Sequence, residues 1–283
     1  METFVTKLKD LAYRPALAEC YSICVEYAKP DFSTYEREAT VESSAGYPYI
    51  PYVPRGWNGV LVLGLAQNHA GIDDETKETY GDCLRKCEEK NPEASILRLY
   101  EGESPQLGPV KSIKPWEDGF LPLALECAVP GCHEDEIARS NAVLWSFTQL
   151  GGRRDFPPKW GGPQLERSVV VWTEMLKRLG ADLKLLITYG VVAHSVMGAA
   201  LNEARVTCPH VRWTHPSHSY PRLTRDKTKY AELLQYEPEA MRVIMQGRFS
   251  SWKTSKSRLL YACHAVKETR SHEEYGQIQR LCQ

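Results

Sequence analysis

The chain of 283 residues lacks the short motifs that mark the commonest nucleotide and hydrolase sites. It has no G-x-x-x-x-G-K-[ST] phosphate loop, no G-x-G-x-x-G after its first apolar run, and no G-x-S-x-G turn around a serine. These absences argue against a nucleotidase with a phosphate loop, a dinucleotide-binding enzyme and a serine hydrolase with a nucleophile elbow. The catalytic residues must therefore be sought in less regular patterns.

Long apolar runs are also absent. No segment approaches the roughly 20 apolar residues that a membrane-spanning helix needs, so we expect no membrane partner. Residues 1–10 have no apolar stretch of the kind found in secretory leaders. We therefore expect an intracellular protein, in the cytoplasm or nucleoid if it is bacterial and in the nucleus if it is eukaryotic.

The cysteines form no C-x-x-C pair, although the chain has nine of them. Two pairs are spaced four residues apart (Cys20 with Cys24, and Cys83 with Cys87), and Cys127 and Cys132 are five apart. Cysteines four apart share a face of a helix, which leaves a metal site as an alternative. Ordinary reduced, buried thiols are the simpler interpretation. We expect no metal and no other cofactor.

The charges nearly cancel, with 35 basic and 36 acidic residues and a net charge of −1. Such a chain has no overall basic field, so contacts with nucleic acid would have to come from local clusters. One cluster contains Arg222, Arg225, Lys227 and Lys229, and only Asp226 opposes it. A solvated surface is the alternative interpretation of this cluster.

Four short apolar segments predict strands, at 59–66, 137–145, 183–189 and 206–213. Helical patterns lie between and around them, at 120–128, at 165–179 with Gly180 as the stop, and at 191–204. The alternation predicts an α/β fold: three α/β/α layers around a central, mainly parallel four-stranded sheet. We expect a single domain over 1–283, with a helical or extended N-terminal arm (1–58) and a helical C-terminal tail (226–283).

Polar residues stand where the predicted strands end. Gln67 and Asn68 follow the first strand, Asn141 belongs to the second, and His215 and Ser217 follow the fourth. Parallel sheets bind ligands at the carboxyl ends of their strands, so we expect these side chains to line one pocket. Carboxamides carry a donor and an acceptor side by side, which suits the edge of a neutral base.

These segments resemble the motifs of one family. The stretch GLAQNHAG (64–71) resembles the first motif of the uracil-DNA glycosylase superfamily, and THPS (214–217) resembles its second, histidine-proline-serine motif. Between them, SNAVLW (140–145) looks like the strand with the base-reading asparagine, and LKLLITYGVVAH (183–194) like the strand, glycine and helix before the second motif. Order and approximate spacing agree over residues 57–223.

The chain departs from the family pattern in three ways. The first motif lacks the aspartate of the best-known branch, and Gln67 stands where most other branches have a proline. Trp145 falls where branches with an iron–sulfur cluster have one of their cysteine ligands. The resemblance therefore implies no cluster in this chain.

The resemblance implies a DNA glycosylase that hydrolyses the N-glycosidic bond of uracil, or of a related deaminated base, flipped out of DNA. His215 would donate a hydrogen bond to the base oxygen on which negative charge grows. Asn141 would pair with the uracil edge and discriminate it from cytosine, beside Gly64, whose backbone a ligand can approach closely. Gln67 or Asn68 would hold the attacking water.

The remaining implied roles concern stacking and DNA contacts. Phe120 is the favoured residue to stack on the base, with Trp116, Tyr80 and His69 left open, and Asp73 or Asp74 is a candidate base. Ser217 would bind a backbone phosphate. Tyr220 or Arg222 would insert into the gap that the flipped base leaves. Further phosphate contacts would come from Arg222, Arg225 and Lys227. The expected partner is uracil-containing DNA, single- or double-stranded, and the expected state is a monomer.

Two other functions remain open. The first is a glycosylase fold that binds DNA without cutting it, motivated by Gln67 and the missing aspartate. The second is a hydrolase of free nucleosides or nucleotides. Taken alone, His215 is a histidine held in a turn between prolines, and we interpret His194 and His210 as structural.

Overall fold

The four apolar segments form one sheet, as their composition predicts. The strands are β1 (Val60–Asn68), β2 (Ala138–Phe147), β3 (Leu185–Tyr189) and β4 (His210–Trp213). Every neighbouring pair is parallel, and the order across the sheet is β2-β1-β3-β4. The computed structural model describes residues 51, 57–68, 120–133, 136–147, 163–216, 223–246 and 255–281. Within them, the predicted α/β fold with a parallel four-stranded sheet is confirmed.

Helices cover both faces of this sheet. They are α1 (120–128), α2 (Pro163–Leu179), α3 (Gly190–Ala204), α4 (Lys227–Leu234), α5 (Glu237–Gln246), α6 (Lys256–Arg270) and α7 (Tyr275–Ile278). Residues of α2 and α3 share a core with Leu61 and Leu186, whereas residues of α1, α4, α5 and α6 share another with Val62 and Ile187. Successive strand residues point to opposite faces, so the sheet separates two cores and the layers are α/β/α.

The order of the strands defines where the chain changes direction. From β1 the chain goes to β2 on one side, and from β3 it goes to β4 on the other. In open parallel sheets, ligands bind in the crevice outside the carboxyl ends of strands at such a switch point. Here that point lies between β1 and β3.

Two predicted strand boundaries are wrong. The segment 206–213 is a strand only from His210, because Pro209 has no N–H for the ladder and contributes only its carbonyl, which accepts from Leu186 N at 2.9 Å. Asn141 is not at a strand end, because β2 stays paired with β1 as far as Phe147 opposite Asn68. Asn141 is therefore the fourth residue of β2, and Gln67 and Asn68 belong to β1.

Where the C-terminal tail is described, it consists mainly of the helices α4 to α7, with turns between them. Almost all of the predicted N-terminal arm (1–58) lies outside the described residues. Among the described helices, none combines the length and the apolarity that crossing a membrane requires.

His194 of α3 and His210 of β4 meet over Thr188 of β3. The Thr188 hydroxyl lies 3.0 Å from His194 Nδ1 and 3.1 Å from His210 Nε2, and the two rings stack with centroids 3.9 Å apart. Burial, followed by the charges of His194 and His272, lowers the pKa of His210 from 6.5 to about 3. The contacts join a helix to two strands, which agrees with the structural interpretation of both histidines.

This pair predicts a loss of stability in mild acid. The pKa of His210 is lower in the folded than in the unfolded chain, so its contribution is complete above pH 6.5 and is lost as pH falls towards about 3. Between pH 7 and pH 5 the free energy of unfolding should fall by about 2 kcal/mol through this group. Urea unfolding at both pH values should show a smaller loss in His210→Gln, and an equal loss would contradict the assignment.

Candidate active site

Asn141 of β2 lies directly beside Gly64 of β1. The two residues are register partners, and a β-carbon added to Gly64 would stand 2.5 Å from Asn141 Oδ1. The Asn141 side chain is only 9% exposed, and within the described part of the chain its amide forms no hydrogen bond. Glycine at position 64 thus leaves the space in which a buried amide lies across the neighbouring strand.

The backbone under Asn141 is fixed from the other face of the sheet. Trp172 of α2 is fully buried, and its indole N–H lies 3.2 Å from the carbonyl of Asn141 and 3.0 Å from that of Ala142. The Trp172 N–H is shared between two successive carbonyls, and this restrains the backbone of β2 at the residue that carries the Asn141 amide. The position of Asn141 therefore depends on the packing of α2.

Tyr189 and Trp213 continue the same row across the sheet. Leu63 pairs with Thr188, so the next residues, Gly64 and Tyr189, are neighbours, and Tyr189 pairs with Trp213. Both aromatic side chains are buried in the core on the α6 side of the sheet. This row, Asn141, Gly64, Tyr189 and Trp213, is the floor of the candidate site: it contains the last residues of β3 and β4 and interior residues of β1 and β2.

His215 lies above this floor. Its imidazole contacts the Tyr189 ring edge-on, with centroids 6.1 Å apart and planes at 69°. The ring is partly buried, and Pro216, which follows it, is buried. The structure therefore brings His215 against Tyr189, the strand end that adjoins Gly64.

Helix α3 begins at the same edge. Gly190 has a φ of +84°, a conformation that other residues adopt only with strain, and it turns the chain sharply from β3 into the helix. Among the described residues, nothing lies within 4 Å of a β-carbon added there, and the side chain of Tyr189, the N-cap residue, does not cap the helix. The first N–H groups of α3 and the positive end of its dipole thus start next to Tyr189.

Helix α6 contacts the residue before His215 with two buried side chains. Tyr261 Oη donates to the Thr214 carbonyl at 2.8 Å, and His264 Nε2 accepts from the Thr214 N–H at 2.9 Å. Phe120 of α1, the favoured stacking residue, packs edge-on against the Tyr261 ring with centroids 5.5 Å apart. Phe120 and the histidine loop are thereby linked through one tyrosine.

The basic cluster is described in part. Arg225 and Lys227 are exposed, and among the described residues neither forms an ion pair. Within the described residues Asp226 pairs with neither of them: its carboxylate accepts from the N–H groups of Thr228 and Lys229 at the start of α4 and lies 4.0 Å from Lys229 Nζ. Both cations are therefore available to an anionic partner.

Some predicted site residues cannot be assigned contacts. Gln67 and Asn68 are the last two residues of β1, but their side chains are outside the description. Ser217, Tyr220 and Arg222 lie outside the described residues. The same is true of the alternatives for stacking and for the base, namely Trp116, Tyr80, His69, Asp73 and Asp74.

The described cysteines are free thiols. Burial raises the pKa of Cys127, Cys208 and Cys263 to about 12, which keeps them protonated at neutral pH. Cys132 is also buried, and its Sγ accepts a hydrogen bond from Asn58 Nδ2 at 3.3 Å. Within the part of the chain that is described, no group of three or more metal-ligating side chains is close enough together to hold an ion.

Sequence reasoning missed three residues around the site: Trp172, Tyr261 and His264. Each is far from its partner in the chain, by 30 or 31 residues for Trp172, 47 for Tyr261 and 50 for His264. One local signal existed in the sequence: His264 stands within the apolar stretch LLYACHAV (259–266). Residues 260–266 of this stretch are all buried in α6. A histidine in such a run requires a polar partner.

Comparison of the chain with protein-family models, with curated proteins and with solved structures found no match.

Proposed function

We propose that the chain is a DNA glycosylase that removes uracil, or a related deaminated base, from DNA by hydrolysing its N-glycosidic bond. One observation carries the proposal. Asn141 packs on Gly64 beside the strand end of Tyr189, and the Tyr189 ring contacts His215. A buried amide and an imidazole therefore lie along one row of residues that crosses β1 and β3, the switch point where parallel sheets bind ligands.

The Asn141 amide suits the recognition of uracil. Uracil presents an N–H donor and a carbonyl acceptor side by side, and a carboxamide matches both with its oxygen and its NH₂ group. Cytosine presents the reverse order, so selectivity requires an amide that does not rotate freely. Contact with Gly64 and an exposure of only 9% restrict that rotation.

His215 and the start of α3 suit the charge that develops in the reaction. Cleavage leaves an oxocarbenium-like sugar and an anionic uracil, and water then adds to the sugar. An imidazole N–H directed at the uracil oxygen stabilises the anion as an oxyanion hole does. The N-terminus of α3, which directly follows Tyr189 and receives no cap from the Tyr189 side chain, adds a favourable positive potential.

The length of β1 suits the separation of base and water. Gln67 is three residues beyond Gly64, which corresponds to about 10 Å along a strand. A base whose edge contacts Asn141 on the floor would therefore have its sugar near the end of β1. Gln67 or Asn68 is the candidate there for holding the water.

The cations beyond the histidine loop suit the DNA backbone. Arg225 and Lys227 are exposed without an ion pair among the described residues, as phosphate contacts require. They follow the loop that carries Ser217, Tyr220 and Arg222, the other proposed DNA contacts. Binding through them would weaken as salt rises, because each phosphate contact releases counterions.

The test is base release from oligonucleotides with a single uracil, single- and double-stranded, analysed by alkaline cleavage of abasic sites. The proposal expects abasic product in both or in one of them. No release from either would refute it. Tight, salt-dependent binding without release would favour the non-catalytic alternative, and faster cleavage of free deoxyuridine would favour a nucleoside hydrolase.

Replacing Gly64 with alanine should displace the Asn141 amide and slow uracil release. The added methyl group would lie 2.5 Å from Asn141 Oδ1, so the amide must move. A displacement of about 1 Å in a catalytic site can cost about 10²-fold in rate, and we expect a fall of that order in uracil release. Overpacking should also lower the free energy of unfolding by about 1–3 kcal/mol.

The matched control is Gly198→Ala in α3. A β-carbon there would be no nearer than 4.0 Å to the His210 ring, and an alanine in a helix interior stabilises by about 0.5–1 kcal/mol relative to glycine. Gly198→Ala should therefore keep the full rate and raise the urea midpoint. An unchanged rate in folded Gly64→Ala would contradict the role of the Asn141–Gly64 contact.

A further inference from the structure

We propose that Tyr261 and His264 are positioning residues, which hold His215 in place by fixing the two backbone polar groups of Thr214. The inference rests on the function proposed above for His215. It also gives the C-terminal tail, of which α6 is a part, a role in the site around His215, although Tyr261 is 47 residues from Thr214 in the chain.

The geometry of the two contacts restrains both peptide planes of Thr214. Its N–H belongs to the peptide from Trp213 and donates to His264 Nε2 at 2.9 Å, whereas its carbonyl belongs to the peptide to His215 and accepts from Tyr261 at 2.8 Å. Fixing both planes fixes φ and ψ of Thr214. The direction in which the chain reaches His215 is thereby set by α6.

The two side chains come from one face of the helix and are well buried. Tyr261 and His264 are three residues apart, and their exposed fractions are 0% and 5%. Hydrogen bonds in such surroundings are electrostatically stronger than in water. A buried donor or acceptor that loses its partner destabilises the folded state. The clamp on Thr214 is therefore stiff.

His264 must be neutral to accept the Thr214 N–H at Nε2, which leaves its proton on Nδ1. The Glu268 carboxylate faces that nitrogen, with Oε1 3.7 Å from Nδ1. Burial, followed by the charges of Lys267 and Arg212, lowers the pKa of His264 to about 4. The acceptor is thus present throughout the neutral range.

Another buried hydrogen bond of α6 attaches the helix to the core without contacting Thr214. Thr269 of α6 accepts from the indole N–H of Trp213 at 3.1 Å, with a hydroxyl group that is equally buried. That hydrogen bond fastens the helix to a core side chain and leaves the Thr214 backbone alone. Thr269→Val is therefore the matched control for losing one buried hydrogen bond on the same helix.

The experiment compares Tyr261→Phe, His264→Leu, His264→Gln and Thr269→Val in single-turnover and steady-state release of uracil from DNA. Tyr261→Phe and His264→Leu should lower kcat by about 10-fold or more with KM changed little, because a displaced His215 loses transition-state contacts rather than DNA binding. His264→Gln should recover most of kcat, since its amide oxygen can accept from Thr214. Thr269→Val should lower stability and keep kcat.

A second readout separates this inference from the proposed function. Amide hydrogen exchange at Thr214 and the NMR signals of the His215 ring should change in Tyr261→Phe and His264→Leu, and remain as in the wild type in Thr269→Val. If the wild type released no uracil, these signals would still support or refute the clamp. Unchanged signals, or an unchanged kcat in folded Tyr261→Phe and His264→Leu, would overturn it.

Discussion

Replacing His215 with alanine is expected to slow uracil release from DNA by about 10²–10³-fold, the usual cost of removing one oxyanion-hole donor. The loss should appear in kcat more than in KM, because the negative charge on uracil exists in the transition state and not in the bound substrate. Rapid-quench measurements of base release with excess protein would give the chemical step directly.

The fold should survive this substitution. The imidazole packs edge-on against Tyr189 on the rim of the core, a contact worth about 0.5–1.5 kcal/mol, and Thr214 stays held by α6. His215→Gln, which keeps an N–H donor, should recover part of the rate. The control is His133→Ala, an exposed histidine between α1 and β2 that should be removed without effect on rate.

If His215→Ala released uracil at the wild-type rate, the imidazole would have no part in the reaction. The proposed site would then lose its anion-stabilising group. An equal loss of rate in His133→Ala would show instead that the assay responds to histidine removal in general.

Replacing Asn141 with leucine should cost about 10²–10³-fold in uracil release. Leucine has nearly the shape of asparagine but no polar edge, so two hydrogen bonds to the base are lost and its polar groups remain buried without partners. At about 1.5–2 kcal/mol for each unmade bond, the loss is about 3–4 kcal/mol. Any remaining activity should no longer distinguish uracil from cytosine, because the amide is the group proposed to read the difference.

Competition between oligonucleotides that contain uracil or a cytosine at the same place would measure that selectivity. The matched control is Asn202→Leu in α3, since Asn202 is exposed on the helix surface and its replacement should leave rate and selectivity unchanged. Retained selectivity in Asn141→Leu would contradict base reading by this residue, whatever happened to the rate.

Much of the fold could be predicted from the sequence because its signals are local. Continuous apolar runs marked the strands, and the helix ending at Leu179 was marked by apolar spacing and by Gly180. A methyl group on Gly180 would meet Val206 Cγ2 at 2.4 Å and the Leu176 carbonyl at 2.5 Å, so glycine is required there. Only the contact with Leu176, four residues earlier, is local, whereas the contact with Val206 arises in the folded structure.

The candidate site was predictable only in part, because its geometry depends on contacts that are distant in the chain. Asn141 was assigned to a strand end, although pairing of β1 with β2 as far as Phe147 places it inside the strand. That Asn141 lies beside Gly64 depends on the register between β1 and β2, and no local sequence pattern determines that register. The hold of Tyr261 and His264 on Thr214 depends on the docking of α6, and no sequence spacing shows that docking.

The most direct test of the central claim is the intact mass of a uracil-containing DNA strand after incubation with excess protein. The proposal predicts that the strand loses uracil and gains water, with the phosphodiester backbone whole and free uracil in the supernatant. Asn141, Gly64 and His215 would then be parts of a base-excising site. A strand whose mass stays unchanged, in both the single- and the double-stranded substrate, would contradict the claim.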